Sequence, residues 1–219
     1  MARNKYPEET INKILEVSLR LFMEKGYEST SIQDILNELG GLTKGAIYHH
    51  FKSKEEIFLA VTANIYKETD TRLAIIRDNP TLNGLQKLKE MFRSSLENSA
   101  QNDMFAIAPN LLKNPSFLAI QLQSCIEEAA PFYIKPVLEE GIADGSIQTD
   151  YPKELAEVLM LLSNIWLNPM IFPASPKEVL GRCYFFKNML LSLGIDFIDD
   201  SMLERISQYA KIYEKNNHK

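Results

Sequence analysis

The chain has 219 residues, 45% apolar and 24% charged, with a formal net charge of -5. That apolar fraction fills a sizeable core and excludes wholesale disorder, and the acidic balance excludes attachment to nucleic acid by bulk charge alone. Residues 1–54 nevertheless hold 8 Lys/Arg against 7 Asp/Glu, while the rest holds 16 against 22, so any nucleic-acid role belongs to a local site near the N-terminal end.

The elements at that end are dense. Ile11, Ile14, Leu15, Leu19 and Phe22 make a helical stripe with Ser18 in its gap. Pro7, Glu8 and Glu9 suit the first turn, and Lys25-Gly26 closes the helix. A second helix is expected from Thr30, whose T-x-x-Q spacing to Gln33 reads as a capping box. Ile32, Ile35, Leu36 and Leu39 form its buried side, and Gly40-Gly41 ends it. Thr43 caps a very short third helix, with Leu42 and Ile47 spaced as a hydrophobic staple. Ser53, in S-x-x-E spacing to Glu56, caps a long fourth helix. Further helices are expected near 83–100, 103–112, 116–143, 152–168, 177–193 and 200–214. Pro131 and Pro136 should kink or break the third of these, and Asp144-Gly145 should end it.

Two helices joined by a tight glycine turn, the second short and polar on one side, describe a helix-turn-helix. The outward side of the third helix carries Lys44, Gly45, Ala46, Tyr48 and His49, a mix of charge, donors and small residues. Such a helix fits a major groove about 12 Å wide and sets its N-terminal residues against base edges. Thr30 and Ser31 at one helix start and Lys54 at another suit phosphates, because exposed N–H groups and the helix dipole attract anions. Tyr48 and His50 donate to phosphates in the same reading, and Gln33 completes the DNA-facing set.

The stretch Thr30 to Glu56, TSIQDILNELGGLTKGAIYHHFKSKEE, resembles the DNA-binding region of the TetR (tetracycline-repressor) family. T-x-I-x-D-I, T-K-G-A-I-Y-x-H-F and K-S-K-E-E carry the resemblance, which covers about the first 65 residues. It departs in having two glycines, Gly40 and Gly41, where one is usual. It implies that Thr43 to His49 form the recognition helix, with Thr43, Lys44, Gly45 and Ala46 nearest the bases. Thr30, Tyr48, His50 and Lys54 match positions that meet phosphates.

The fold expected is all-α. An N-terminal three-helix DNA-binding bundle with a helix-turn-helix, residues 1–54 and extending to about 67, joins through a long helix to a helical ligand-binding and dimerisation domain, 55–219. The helices over 152–168 and 177–193 are apolar on nearly every side, and a helix apolar all round is buried all round. A second copy is the natural cover, and the resemblance implies a four-helix homodimer contact. Leu155, Leu159, Leu161, Leu162, Cys183, Phe185, Phe186 and Leu190 are its candidates. Candidate lining for a small, largely apolar effector is Phe92, Phe105, Asn110, Phe117, Gln121, Tyr133, Asn164, Trp166 and Asn168.

The function expected is a ligand-responsive transcriptional regulator. Effector binding would alter the separation of two recognition helices and release a palindromic operator in double-stranded DNA. A helical-bundle enzyme, or a ligand-binding protein without DNA activity, is the alternative. No Ser-His-Asp spacing, phosphate-binding glycine loop or metal-ligand cluster supports an enzyme, so no catalytic residue, metal or cofactor is assigned. His49 and His50 point about 100° apart on a helix and have no cysteine nearby. Cys125 and Cys183 lie far apart and read as buried small apolar residues. MARNKYPEET lacks the apolar core of a secretory signal, and no run reaches the roughly 18 apolar residues that span a bilayer. A soluble, cytoplasmic chain with no membrane partner is therefore expected.

Overall fold

A computed structural model of the chain describes residues 7–40, 43–97, 102 and 115–217. Among these residues the structure is all-helical, with no strand. Contacts divide it into two units, one running to Lys67 and the other starting at Glu68. The dividing point falls inside one continuous helix.

The first unit holds α1 (Pro7–Lys25), α2 (Ile32–Leu39), α3 (Lys44–His50) and the start of α4 (Lys54–Arg77). Ile14, Phe22, Ile35, Leu39, Ile47 and Ile57 are fully buried and supply most of its core. Three aromatic rings close it, with Tyr27 and Phe58 at 4.9 Å, Phe22 and Tyr27 at 5.5 Å, and Phe22 and Phe58 at 5.8 Å between centroids. Tilted and edge-on rings at these spacings add attraction beyond burial. Gly26, at φ 80°, turns the chain out of α1, as a residue without Cβ allows.

The caps differ in part from those read in the sequence. The N-cap of α2 is Ser31, not Thr30, and the reciprocal partner is Asp34, not Gln33. Asp34 N–H donates to Ser31 Oγ at 3.1 Å, and Ser31 N–H donates to Asp34 Oδ2 at 2.8 Å. The register moves by one because Thr30 is buried and turns its hydroxyl inward. At α4, Ser53 Oγ does accept from Glu56 N–H at 3.2 Å, but the Glu56 carboxylate takes the N–H of Lys52, at 2.6 Å, not that of Ser53. Leu42, half of the expected staple, lies outside the described residues, as does Gly41.

The second unit contains the rest of α4, then α5 (Gly84–Glu97), α6 (Pro115–Gln123), α7 (Lys135–Asp144), α8 (Pro152–Leu161), α9 (Pro176–Ser192) and α10 (Asp200–Asn217). The helix expected over 103–112 lies outside the described residues. Pro131 does not break its helix. Residues Ser124–Ile134 widen into a π-helical segment joining α6 to α7 without interruption, and Leu162–Trp166 do the same after α8. A wider coil accommodates a residue with no N–H and a ring that clashes with the carbonyl four residues back.

Helix α5 packs on α7, α8 on the first π segment, and α9 on α10. The first of these contacts is unusually close. A Cβ on Gly84 would lie 2.3 Å from both Cα and N of Gly141 and 2.6 Å from the Val137 carbonyl oxygen. Beside it, Lys87 is only 3% exposed, and its Nζ reaches both oxygens of Glu140 at 2.7 and 2.6 Å. Asp144 and Ser146 accept the N–H groups of Gly84 and Leu85 at 2.8 and 3.1 Å, so one helix end caps the start of another. Gly84→Ala should therefore cost about 3 kcal/mol, since backbone has to move on both helices. Urea unfolding of the variant reads this, and a midpoint equal to the wild type would refute the contact.

Candidate nucleic-acid interface

Helix α3 is seven residues long and is held at both ends. Thr43 Oγ1 accepts the Ala46 N–H at 3.3 Å, and Phe51 N–H returns to the Ile47 carbonyl at 2.8 Å. Ile47 is its one fully buried residue, and it anchors the helix to the core. Thr43, Lys44, Gly45, Tyr48 and His49 are exposed, while Ala46 and His50 are half-buried. Lys44 Nζ lies 5.8 Å from the Tyr48 ring centroid, a cation–π distance that aligns the two side chains. The rings of His49 and His50 meet edge to face at 5.0 Å. A Cβ on Gly45 would meet only Thr43 Oγ1, at 3.8 Å, so the backbone there is open to a large partner.

Around this helix the polar residues divide. Ser31 and Gln33 are exposed at the start of α2, and Gln33 Nε2 donates to Asn37 Oδ1 at 2.9 Å. Thr30 does not join them. It is 1% exposed, and its hydroxyl is directed at the carbonyls of Gly26, 2.8 Å, and Leu21, 3.3 Å. Thr30 is a tie between α1 and α2, and its hydroxyl is not available to a phosphate. Lys54 has a double position. Its Nζ donates to the Tyr27 carbonyl at 2.8 Å and the Glu28 carbonyl at 3.5 Å, and sits 4.2 Å from the Tyr27 ring centroid. An ammonium has three donors, so one remains.

Two ionisation states follow from these contacts. The hydroxyl and N–H of Ser31, aided by Lys25, hold the Asp34 carboxyl down at about 2. Burial, followed by the nearby Glu55 and Glu28 carboxylates, pushes the Tyr27 phenol well above its ordinary value. Because the Asp34 value is depressed, its stabilising contribution is complete above about pH 4, the ordinary carboxylate range, and is lost as pH falls toward 2. Acid unfolding of Asp34→Asn should lack that component, and a titration matching the wild type would refute it.

In the second unit the expected pocket residues that the structure describes make separate local contacts. Phe105 and Asn110 lie outside the described residues. Phe92 stacks edge to face on Phe197 at 5.5 Å, Phe117 is buried, and Gln121 Nε2 points at Cys125 Sγ, 3.9 Å away. Tyr133 stands near the Arg77 guanidinium at 5.7 Å. Asn164 donates to the Met160 carbonyl at 3.2 Å, and Asn168 Oδ1 accepts the Met170 N–H at 2.9 Å. Both amides make local turn contacts.

The expected interface also needs correction. Leu155, Leu159, Cys183, Phe186 and Leu190 are buried within the chain itself, so they belong to its own core. Leu161 and Leu162 are half-buried. Phe185 is 62% exposed, and its ring meets Trp166 at 5.8 Å. Helix α9 is thus not buried all round: Gly181, Tyr184, Phe185, Asn188 and Leu191 form an open side at helical spacing. Burial pushes the Cys183 thiol up to about 12 and raises that of Cys125, which makes both poor nucleophiles.

Comparison with known proteins bears on residues 14–61, which match the family model described as bacterial regulatory proteins, tetR family. The HTH-type transcriptional repressor AcnR of Corynebacterium glutamicum is 31% identical over 161 residues, covering 70% of this chain and 77% of that protein. The HTH-type transcriptional repressor KstR2 of Mycolicibacterium smegmatis is 27% identical over 154 residues, covering 68% and 73%. Among solved structures, a TetR-family transcriptional regulator from Pectobacterium atrosepticum aligns over 97% of this chain and 94% of its own. It has a TM-score of 0.57 at 21% identity, which is a likeness of fold.

Proposed function

Since the chain belongs to the tetR family of bacterial regulatory proteins and is a DNA-binding transcriptional regulator, not an enzyme, we propose that it is a cytoplasmic homodimeric repressor, released from a palindromic operator by a small, largely apolar effector. The observation that carries the reading is α3 itself. A short, doubly capped helix anchored by Ile47 presents Thr43, Lys44, Gly45, Tyr48 and His49 outward. Thr43, Lys44, Gly45, Ala46 and His49 are assigned to base edges, and Ser31, Gln33, Tyr48, His50 and Lys54 to phosphates. The sign of regulation is supported by the two relatives named as repressors. The homodimer is supported by the open apolar side of α9 around Phe185 and Tyr184. Among the described residues no helix is long and apolar enough to cross a membrane.

Selection from random-sequence duplexes, followed by an electrophoretic shift on the enriched site, tests the reading. A two-fold symmetric site is expected. Enrichment of no sequence would favour a ligand-binding protein without DNA activity.

Lys54 supplies a separate check. Its remaining donor can reach a phosphate, and each such contact contributes about -0.9 to the log–log salt slope. Lys54→Ala should flatten the slope by about 1 and lower stability by about 1–2 kcal/mol, because a charge-assisted bond to the Tyr27 carbonyl is lost. A stability loss with an unchanged slope would make Lys54 an internal clamp only.

A further inference from the structure

Where the first π segment meets α8, the chain encloses a surface cavity of about 210 Å³, lined by Ile126, Ala130, Pro131, Lys135, Lys153, Ala156 and Glu157. We infer that this cavity binds a small amphiphilic anion, an apolar body of about eight heavy atoms ending in one carboxylate-type head. Ala130 and Pro131 lie four and five residues after Ile126, and Lys135 lies five and four after them, so the widened coil sets all of these along one side, facing α8. Pi turns recur at functional sites because the extra width leaves side chains and backbone less closely packed. The wall formed by Ile126, Ala130, Pro131 and Ala156 is apolar, and Ala156 and Ala130 are fully buried beneath it. Their small side chains leave the space open.

The charge of the lining selects the head group. Two lysines and one glutamate are among the lining residues. Lys153 lies 3.8 Å from Glu157, too long for a hydrogen bond, and Lys135 pairs at 3.2 Å with Glu139, which is not among the lining residues. The first turn of α8, which carries Lys153, begins at Tyr151 without a side-chain cap, so its N–H groups add to the positive potential. A carboxylate can reach both lysines, whereas a cation has only Glu157 and a neutral alcohol carries no charge to pair. The volume sets the size. A dry cavity of about 150 Å³ holds benzene, with six heavy atoms, and the same packing places about eight in this one, which is the size of hexanoate.

This deepens the effector reading and rests on it only for any coupling to DNA release. The test reads binding to the full-length protein without DNA, so its failure and the failure of operator binding are distinguishable. Sodium hexanoate, 1-hexanol and hexylammonium are titrated separately, with calorimetry for affinity and methyl NMR of Ile126 for location. Hexanoate should saturate, bind at least tenfold more tightly than either analogue, and shift the Ile126 methyl resonances. Lys135 and Lys153 are partly to largely exposed, so the double variant Lys135→Met, Lys153→Met keeps its fold and should lose at least tenfold in affinity. Ile126→Glu, a change at a half-exposed side chain, should remove binding by placing a negative charge against the head. Equal affinity for hexanol, absence of saturation, or hexanoate binding that leaves Ile126 and the lysine variant unaffected would each overturn the site.

Discussion

Gly45→Glu is expected to abolish operator binding, by about 1000-fold or more, while leaving the protein folded. The two halves of that expectation have separate causes. Inside the chain the change is tolerated, because a Cβ at Gly45 meets only Thr43 Oγ1 at 3.8 Å and glutamate is a better helix former than glycine by about 1 kcal/mol at most. Against DNA it fails twice, since bulk stands where the helix backbone approaches the groove and a negative charge faces phosphates. A thousandfold loss corresponds to about 4 kcal/mol, and it is doubled in effect if two heads engage one site. Thermal unfolding and an electrophoretic shift on the selected operator measure the two halves. Normal binding by this variant would show that α3 does not enter the groove, whatever else the head does.

Phe185→Asp should convert a dimer into a monomer and weaken operator binding by at least about 100-fold. Phe185 is largely exposed in the isolated chain and leans on Trp166, so the substitution removes little from the protomer's own core. Across the proposed two-fold contact the patch around Phe185 would meet the same patch of the second copy, and a carboxylate there would be desolvated without a partner. The neighbouring Phe186 provides the contrast. It is fully buried, and Phe186→Asp should unfold the chain instead of dissociating it. Loss of the dimer separates two recognition helices that should otherwise engage half-sites about 34–36 Å apart, so each head binds with its own contacts alone. Sedimentation at micromolar concentration decides the matter. A wild-type monomer, or a Phe185→Asp dimer, would remove both the interface and the palindromic operator.

The DNA-binding head was the most legible part of the chain because its signals are local. A capping residue, an apolar repeat and a glycine break each act within one or two turns, and the order of helices from α1 to α4 follows from them. Errors there were of one residue. Thr30 reads as well as Ser31 for a cap, since T-x-x-Q and S-x-x-D overlap, and only the inward turn of the Thr30 hydroxyl toward Gly26 and Leu21 separates them. Ser18 looked like the polar gap in a stripe and is instead fully buried.

In the second unit the sequence determined that the chain is helical and where most helices begin, because punctuation such as Asp144-Gly145 works without tertiary help. Tertiary structure decided which side of each helix is covered. Helices α8 and α9 are apolar on nearly every side, so periodicity carries no orientation, and the eight interface candidates split between core and surface only when α9 packs on α10 and α8 on the π segment. The same holds for the π segment itself. Pro131 announces a disturbance, but whether the helix breaks or widens depends on what packs against it. Gly84 and Gly141 look like weak points within helices; only their contact makes them necessary, since two backbones approach to a distance that no side chain allows. Local chemistry writes the caps and turns into the sequence, whereas burial is a property of pairs of distant surfaces and exists only once they meet.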